Sequence, residues 1–70
     1  MKQPHKYSYF TSSTKSGKLI GALGDKKDII RVTDIFVKES PYYDLEDPII
    51  IEEVFLVDGI ITEKKCIKQY

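Results

Sequence analysis

The sequence predicts a small all-β domain: a five-stranded antiparallel meander curled into an SH3-like or OB-like partly open barrel. Three observations predict it. Runs rich in Ile, Val, Tyr, Phe and Thr alternate with turn signals at Lys15-Ser16-Gly17, Gly24-Asp25-Lys26-Lys27, Ser40-Pro41 to Asp47-Pro48, and Asp58-Gly59, as in small antiparallel sheets. Asp58-Gly59 sits between two apolar runs, the strongest short-range hairpin signal. Counting outward from that turn sets acids opposite lysines and apolar residues opposite apolar ones.

The chain has 70 residues, which makes one domain, with residues 1–4 expected to be a frayed start. At this size folding buries only about 60% of the unfolded chain's surface, so the core must be used efficiently or a partner must help. Cys66 is the only cysteine. It forms no intramolecular disulfide and suits a reducing compartment. The start MKQPHKYSYF lacks the apolar stretch of a secretory signal. The longest apolar runs, Ile49–Ile51 and Val54–Val57, fall far short of a membrane span of about 20 residues. A cytoplasmic location and no membrane contact are expected.

The first strand, 5–13, alternates so that Tyr7 and Tyr9 share one face while Ser8 and Phe10 take the other. A three-residue Lys15-Ser16-Gly17 loop, with Gly17 left-handed, leads into a second strand at 18–23. That loop sets Thr14 against Lys18, Ser12 against Ile20 and Phe10 against Ala22. A third strand is expected at 28–38. Its apolar parity changes between Ile30/Val32 and Ile35/Val37, which a β-bulge near Thr33-Asp34 would restore. Strands four and five, 49–57 and 60–68, form the Asp58-Gly59 hairpin. Val57 faces Ile60, Leu56 faces Ile61, Phe55 faces Thr62, Glu53 faces Lys64, Glu52 faces Lys65, Ile51 faces Cys66 and Ile50 faces Ile67. Each such pair contributes about 0.2–1 kcal/mol. A helix capped by Asp47 and Pro48 competes for 49–57, but its β-branched residues are stiff in a helix. A flatter sheet completed by dimerisation is the alternative to a barrel. In either form the open last strand is a candidate for pairing with its twin, and Lys64, Lys65 and Lys68 argue against it.

Net charge is zero but segregated: +5 over residues 1–27, −8 over 28–63 and +3 over 64–70. The plain reading is mutual neutralisation in the fold, since a neutral protein gains little long-range steering. The ten-residue segment Glu39 to Pro48 is long for a connection, and long loops often carry function. Its Asp44, Glu46 and Asp47 lack EF-hand spacing and the turn glycine of that loop, so no metal is expected. Tyr42 and Tyr43 are either recognition anchors or a lid over the open end of the barrel.

Enzyme chemistry finds little support. His5 is the sole histidine, and it meets Cys66 only if the first and last strands pair, with no third group to orient the two. Glu52 and Glu53 point to opposite faces of a strand. No Walker phosphate loop is present, and no cofactor is expected. The expected function is therefore a non-enzymatic interaction module that contacts another protein through Tyr42, Tyr43, Asp44, Glu46 and Asp47. The alternative is a small nucleic-acid-binding barrel using Lys6, Tyr7, Tyr9, Lys15 and Lys18, with bases stacked on the tyrosines. Monomer and homodimer both fit. The lysine- and isoleucine-rich bias suggests an AT-rich genome, and an adaptor or inhibitor from a phage or other mobile element suits these features.

Overall fold

The computed structural model describes residues 3–70. Four strands and one helix follow in the order β1 (Lys6–Thr14), β2 (Leu19–Leu23), α1 (Lys26–Glu39), β3 (Ile49–Val57) and β4 (Ile60–Gln69). The strands form one antiparallel sheet in the order β2-β1-β3-β4. The chain is mostly β, but the third of the five expected strands is a helix, and the meander and the barrel are replaced by an open four-stranded sheet with that helix on one face. None of its helices is long and apolar enough to cross a membrane among the described residues.

The main correction is at residues 28–38, which are helical. Asp25 is the N-cap: its backbone is extended and its carboxylate accepts hydrogen bonds from the backbone N–H groups of Lys27 and Asp28, satisfying donors that a helix start leaves open. The helix ends at Ser40, whose extended backbone suits the residue before a proline. The parity change at Thr33-Asp34 is helical periodicity. Ile29, Thr33 and Phe36 lie on one stripe, with Ile30 and Val37 on one flank and Val32 on the other. Six β-branched residues in this stretch favour strand locally, and packing overrides them.

The helix lies over β1 and β2. The unbroken β1–β3 register puts Ser8, Phe10, Ser12 and Thr14 on the helix side with Phe55, Glu53, Ile51 and Ile49. Ile29, Ile49 and Ile51 are fully buried there, and each such burial stabilises by about 1.5–3 kcal/mol. Between them Thr33 Oγ1 lies 2.8 Å from Ser12 Oγ and 2.7 Å from the carbonyl of Ile29. One arrangement satisfies both hydroxyls: Thr33 donates to Ile29 and accepts from Ser12. Beyond Glu52-Glu53 the apolar residues change parity. Val54, 2% exposed, and Leu56 are buried on the opposite face, set between Tyr9 and Lys64 and between Tyr7 and Ile61. Both faces of this sheet therefore carry apolar packing.

Both turns adopt the expected backbone. Asp58 and Gly59 have φ of 51° and 82°, and Gly17 has φ of 104°. Thr14 N–H donates to the Lys18 carbonyl at 2.8 Å. The expected registers hold only near the turns. In the first hairpin an extra residue at Ile20 sets Ser12 against Gly21 and Phe10 against Leu23. In the second, Val57↔Ile60 and Leu56↔Ile61 stand, and two irregularities then move the pairing. Phe55 faces Glu63, Glu53 faces Lys65, Glu52 faces Cys66, Ile51 faces Lys68 and Ile50 faces Gln69. One acid–lysine pairing survives with a changed partner; Lys64 faces Val54. β4 is an edge strand, so nothing on its outer side resists bulging. His5 is not frayed: its N–H donates to the Asp58 carboxylate and its carbonyl accepts from the Asp58 N–H. Residues 1 and 2, part of the expected frayed start, lie outside the described residues.

Replacing Thr33 by Val strands the buried Ser12 hydroxyl, an expected loss of about 1–3 kcal/mol in urea unfolding. The Ser12→Ala/Thr33→Val pair is expected to recover most of that loss. Additive losses in the two single variants and the pair would disprove the coupling.

Candidate functional site

The segment after the helix, residues 40–48, joins α1 to β3 across one end of the sheet and is not a hairpin connection. Local hydrogen bonds shape it. Tyr42 N–H donates to the Ser40 hydroxyl at 3.1 Å, Glu46 N–H to the Asp44 carboxylate at 2.9 Å, and Asp47 N–H to the Asp44 carbonyl at 3.0 Å. Asp44 thereby builds a side-chain turn of the kind aspartate favours. Asp47 then ties the loop to the β1–β2 turn. Its carboxylate accepts from the backbone N–H of Ser16 at 2.8 Å and from the Ser16 hydroxyl, and Lys15 N–H donates to the Pro48 carbonyl at 2.8 Å. The Ser16 hydroxyl and N–H, with a smaller contribution from Lys18, hold the Asp47 carboxyl below its ordinary value, because they stabilise the charged form.

This clamp divides the two tyrosines. Tyr43 is half-buried and meets Phe36 edge-on, with ring centroids 6.3 Å apart at 77°, a favoured aromatic geometry. Tyr42 stands 87% exposed, and Leu45, which sequence reasoning passed over, 83% exposed. The sequence signal for Leu45 is that it is the lone aliphatic residue between Tyr42 and Asp47. Between the loop and the first hairpin lies a cleft of about 400 Å³. Leu19, Ile20 and Phe36 give it apolar walls, Tyr42 and Tyr43 form one side, and Lys18 and Asp44 add charge. The cleft joins residues from both sequence-derived sets, since Lys18 belonged to the nucleic-acid alternative. Glu46 is exposed beside it.

The rest of the alternative set is dispersed. Tyr7 and Tyr9 share the sheet face not covered by the helix, while alternation places Lys6 on the other. Lys15 sits in the turn at the far end of β1, about 25 Å along the strand from Tyr7. Cys66 is exposed on β4, and β3 separates β4 from β1, so His5 and Cys66 are not brought together. Among the described residues no three His, Cys, Asp or Glu side chains converge on one point.

A second network ties the end of β4 to the helix: the Tyr70 hydroxyl donates to Asp34 at 2.5 Å, and Lys68 lies 3.7 Å from the same carboxylate. Burial, then Asp34, pushes the Tyr70 phenol well above its ordinary value of 10.0. The Tyr70 hydrogen bond, the leading cause, lowers the Asp34 carboxyl.

Asp47 is expected to report the clamp directly. A lowered native pKa adds stability above the unfolded carboxylate value and loses it as pH falls through the native one. The Ser16 amide resonance is therefore expected to move on acidification with a midpoint below 3.8, and Asp47→Asn removes the step. A midpoint at or above 3.8 contradicts the clamp. Tyr70 carries the opposite sign: stability present below pH 10.0 is lost as pH rises above it, because the unfolded phenol ionises first. Tyr70→Phe is expected to flatten that alkaline loss in urea unfolding, and an unchanged loss would refute the assignment.

Compared with known protein families, curated proteins and solved structures, the chain matches none.

Proposed function

We propose that this chain is a non-enzymatic interaction module that binds another protein at the cleft between the first hairpin and the loop 40–48. The observation that carries the reading is the pairing of Tyr42 and Leu45, both more than four-fifths exposed, with a loop already held by Asp47, Asp44 and Tyr43. A side chain presented on an ordered loop loses little further freedom on binding, and such preorganisation raises affinity. Tyrosine is a common anchor of protein interfaces. The apolar walls at Ile20 and Phe36 suit an aliphatic or aromatic side chain of the partner. Asp44 at the cleft, with Glu46 exposed in the same loop, favours a partner with lysine or arginine beside that anchor, chiefly through encounter rate and orientation.

A second reading, single-stranded nucleic acid on Tyr7 and Tyr9, draws support from their shared place on the uncovered sheet face. It predicts binding that falls steeply with salt. Its weak point is the dispersal of Lys6, Lys15 and Lys18. A labelled single strand titrated at low salt tests it, and no binding at micromolar protein removes it.

Panning a displayed peptide library against the chain is expected to enrich sequences with an apolar or aromatic residue next to a basic one. Tyr42→Ser with Leu45→Ser is expected to weaken the selected peptide at least about tenfold, with circular dichroism unchanged. Absence of enrichment, or peptides indifferent to that double substitution, would reject the cleft.

A further inference from the structure

The two edges of the sheet are unlike. β4 carries Glu63, Lys64, Lys65 and Lys68 and two pairing irregularities, devices that keep an edge from pairing with other chains. β2 reads LIGAL, with no charge and no proline, and no strand lies beyond it in the sheet. The direction of its free backbone groups follows from the pairing of β1. Lys15 N–H donates to the Pro48 carbonyl, on the β3 side, and Thr14 N–H to the Lys18 carbonyl, on the β2 side. Alternation along the unbroken β1 register then turns the backbone groups of Ser12 and Phe10 toward β2 and those of Thr11 toward β3. Ser12 and Phe10 face Gly21 and Leu23, whereas Thr11 faces Ala22. The N–H and carbonyl of Ala22 therefore point out of the sheet, and Ala22 is exposed.

The proposed binding cleft opens onto this edge. Beside it, between β2 and the near flank of α1, lies a hollow of about 380 Å³ lined by Ile20, Val32, Ile35, Phe36, Glu39 and Ser40. Ile20 and Phe36 are walls of both, so cleft and hollow meet along them. The Ile29 δ-methyl overlies Gly21 and fixes β2 against the helix, so the edge is ordered before anything binds.

We propose that the protein partner enters the cleft as an extended segment that adds a strand to the sheet at β2, with an apolar side chain in the hollow and a lysine or arginine beside it.

The proposal rests on the cleft being the binding site and states how that site recognises its partner. In strand addition, main-chain hydrogen bonds give affinity and pockets for alternate side chains give specificity. Side chains on one face of a strand recur about every 6.8 Å. One therefore enters the hollow while the next reaches the cleft beside Tyr42. The lining sets the chemistry. Val32 and Ile35 are exposed in the hollow and suit an aliphatic or aromatic side chain. Glu39 is the charged residue of the hollow, and Asp44 lies at the cleft. Among the described residues neither belongs to an ion pair, and Lys18, the cation at the cleft, attracts Asp47. A basic residue in the segment is therefore favoured and an acidic one repelled.

The test uses the whole chain and a synthetic copy of the peptide enriched by panning. Saturating peptide is expected to slow hydrogen exchange of the Ala22 amide at least about tenfold. N-methylation of single peptide residues is expected to split them into alternate sets, one losing at least about tenfold in affinity and the other keeping it. Ala22→Pro removes the outward N–H at an edge position that tolerates proline. It is expected to weaken the peptide at least about tenfold while keeping the native circular dichroism spectrum. Should that variant lose its spectrum, the N-methyl series on the unaltered chain gives the same reading. A peptide that needs Tyr42 and Leu45 yet leaves Ala22 exchange unchanged, or tolerates N-methylation at every position, overturns strand addition and leaves the cleft standing. Failure to enrich any peptide rejects the cleft, and strand addition with it. Protection of Ala22 that rises with protein concentration in the absence of peptide assigns the edge to a second copy and overturns the proposal.

Discussion

The docking of α1 onto β1 and β2 is the constraint from which the rest of the structure follows. Ile29 and Thr33 pack on the face of the two strands, over Gly21 and Ser12, and with Ile49 and Ile51 form a fully buried layer. Because the helix lies between β2 and β3 in sequence, its docking carries the chain across β1, and β3 must pair on the far side of that strand. β1 becomes a central strand. The loop 40–48 is brought back over the first hairpin, where Asp47 finds Ser16. Without that helix the chain would have neither the cleft nor a closed layer over the isoleucines. Three buried isoleucines, at about 1.5–3 kcal/mol each, are a large share of what a domain this small has to stabilise it.

The turns and four of the five expected strand regions were legible in the sequence, because their signals are local. Asp58-Gly59 and Gly17 need positive φ, and the residue types state it. The helix was not legible to propensity, because Ile29, Ile30, Val32, Thr33, Ile35 and Val37 are all β-branched. Two signals nevertheless pointed to it. Gly24-Asp25 is a helix start as well as a turn, and a change of strand parity at mid-segment equals an apolar spacing of three and four. Strand order depends on long-range pairing and had no local signal. The β4 register failed past Ile61 for a physical reason: an edge strand can absorb extra residues without disturbing a neighbour, and charge matching of Glu52 and Glu53 is too weak to forbid it.

The candidate site was legible in part. The loop stood out by length and composition, and the expected residues do gather near one cleft, but their roles divide. Asp44 and Asp47 organise the loop, Tyr43 anchors it on Phe36, and Tyr42 with Leu45 faces outward. Sequence alone cannot tell a tyrosine that packs inward from its neighbour that does not, because the choice rests on Phe36, a residue on the helix that was read as strand. The segregated charge follows the same lesson. Among the described residues the ion pairs are Arg31–Asp28 and Lys68–Asp34. The basic first hairpin meets the acidic loop through the Ser16 hydroxyl and N–H, with Lys18 adding a weaker attraction.

Backbone and methyl NMR of residues 21–39 tests the central claim most directly. The account requires helical Cα secondary shifts from Lys26 to Glu39 and close contacts from the Ile29 δ-methyl to Gly21 of β2, which it overlies. Strand-like shifts across 28–38, or an Ile29 methyl with no contact to Gly21, would contradict the helix, the strand order and the cleft together.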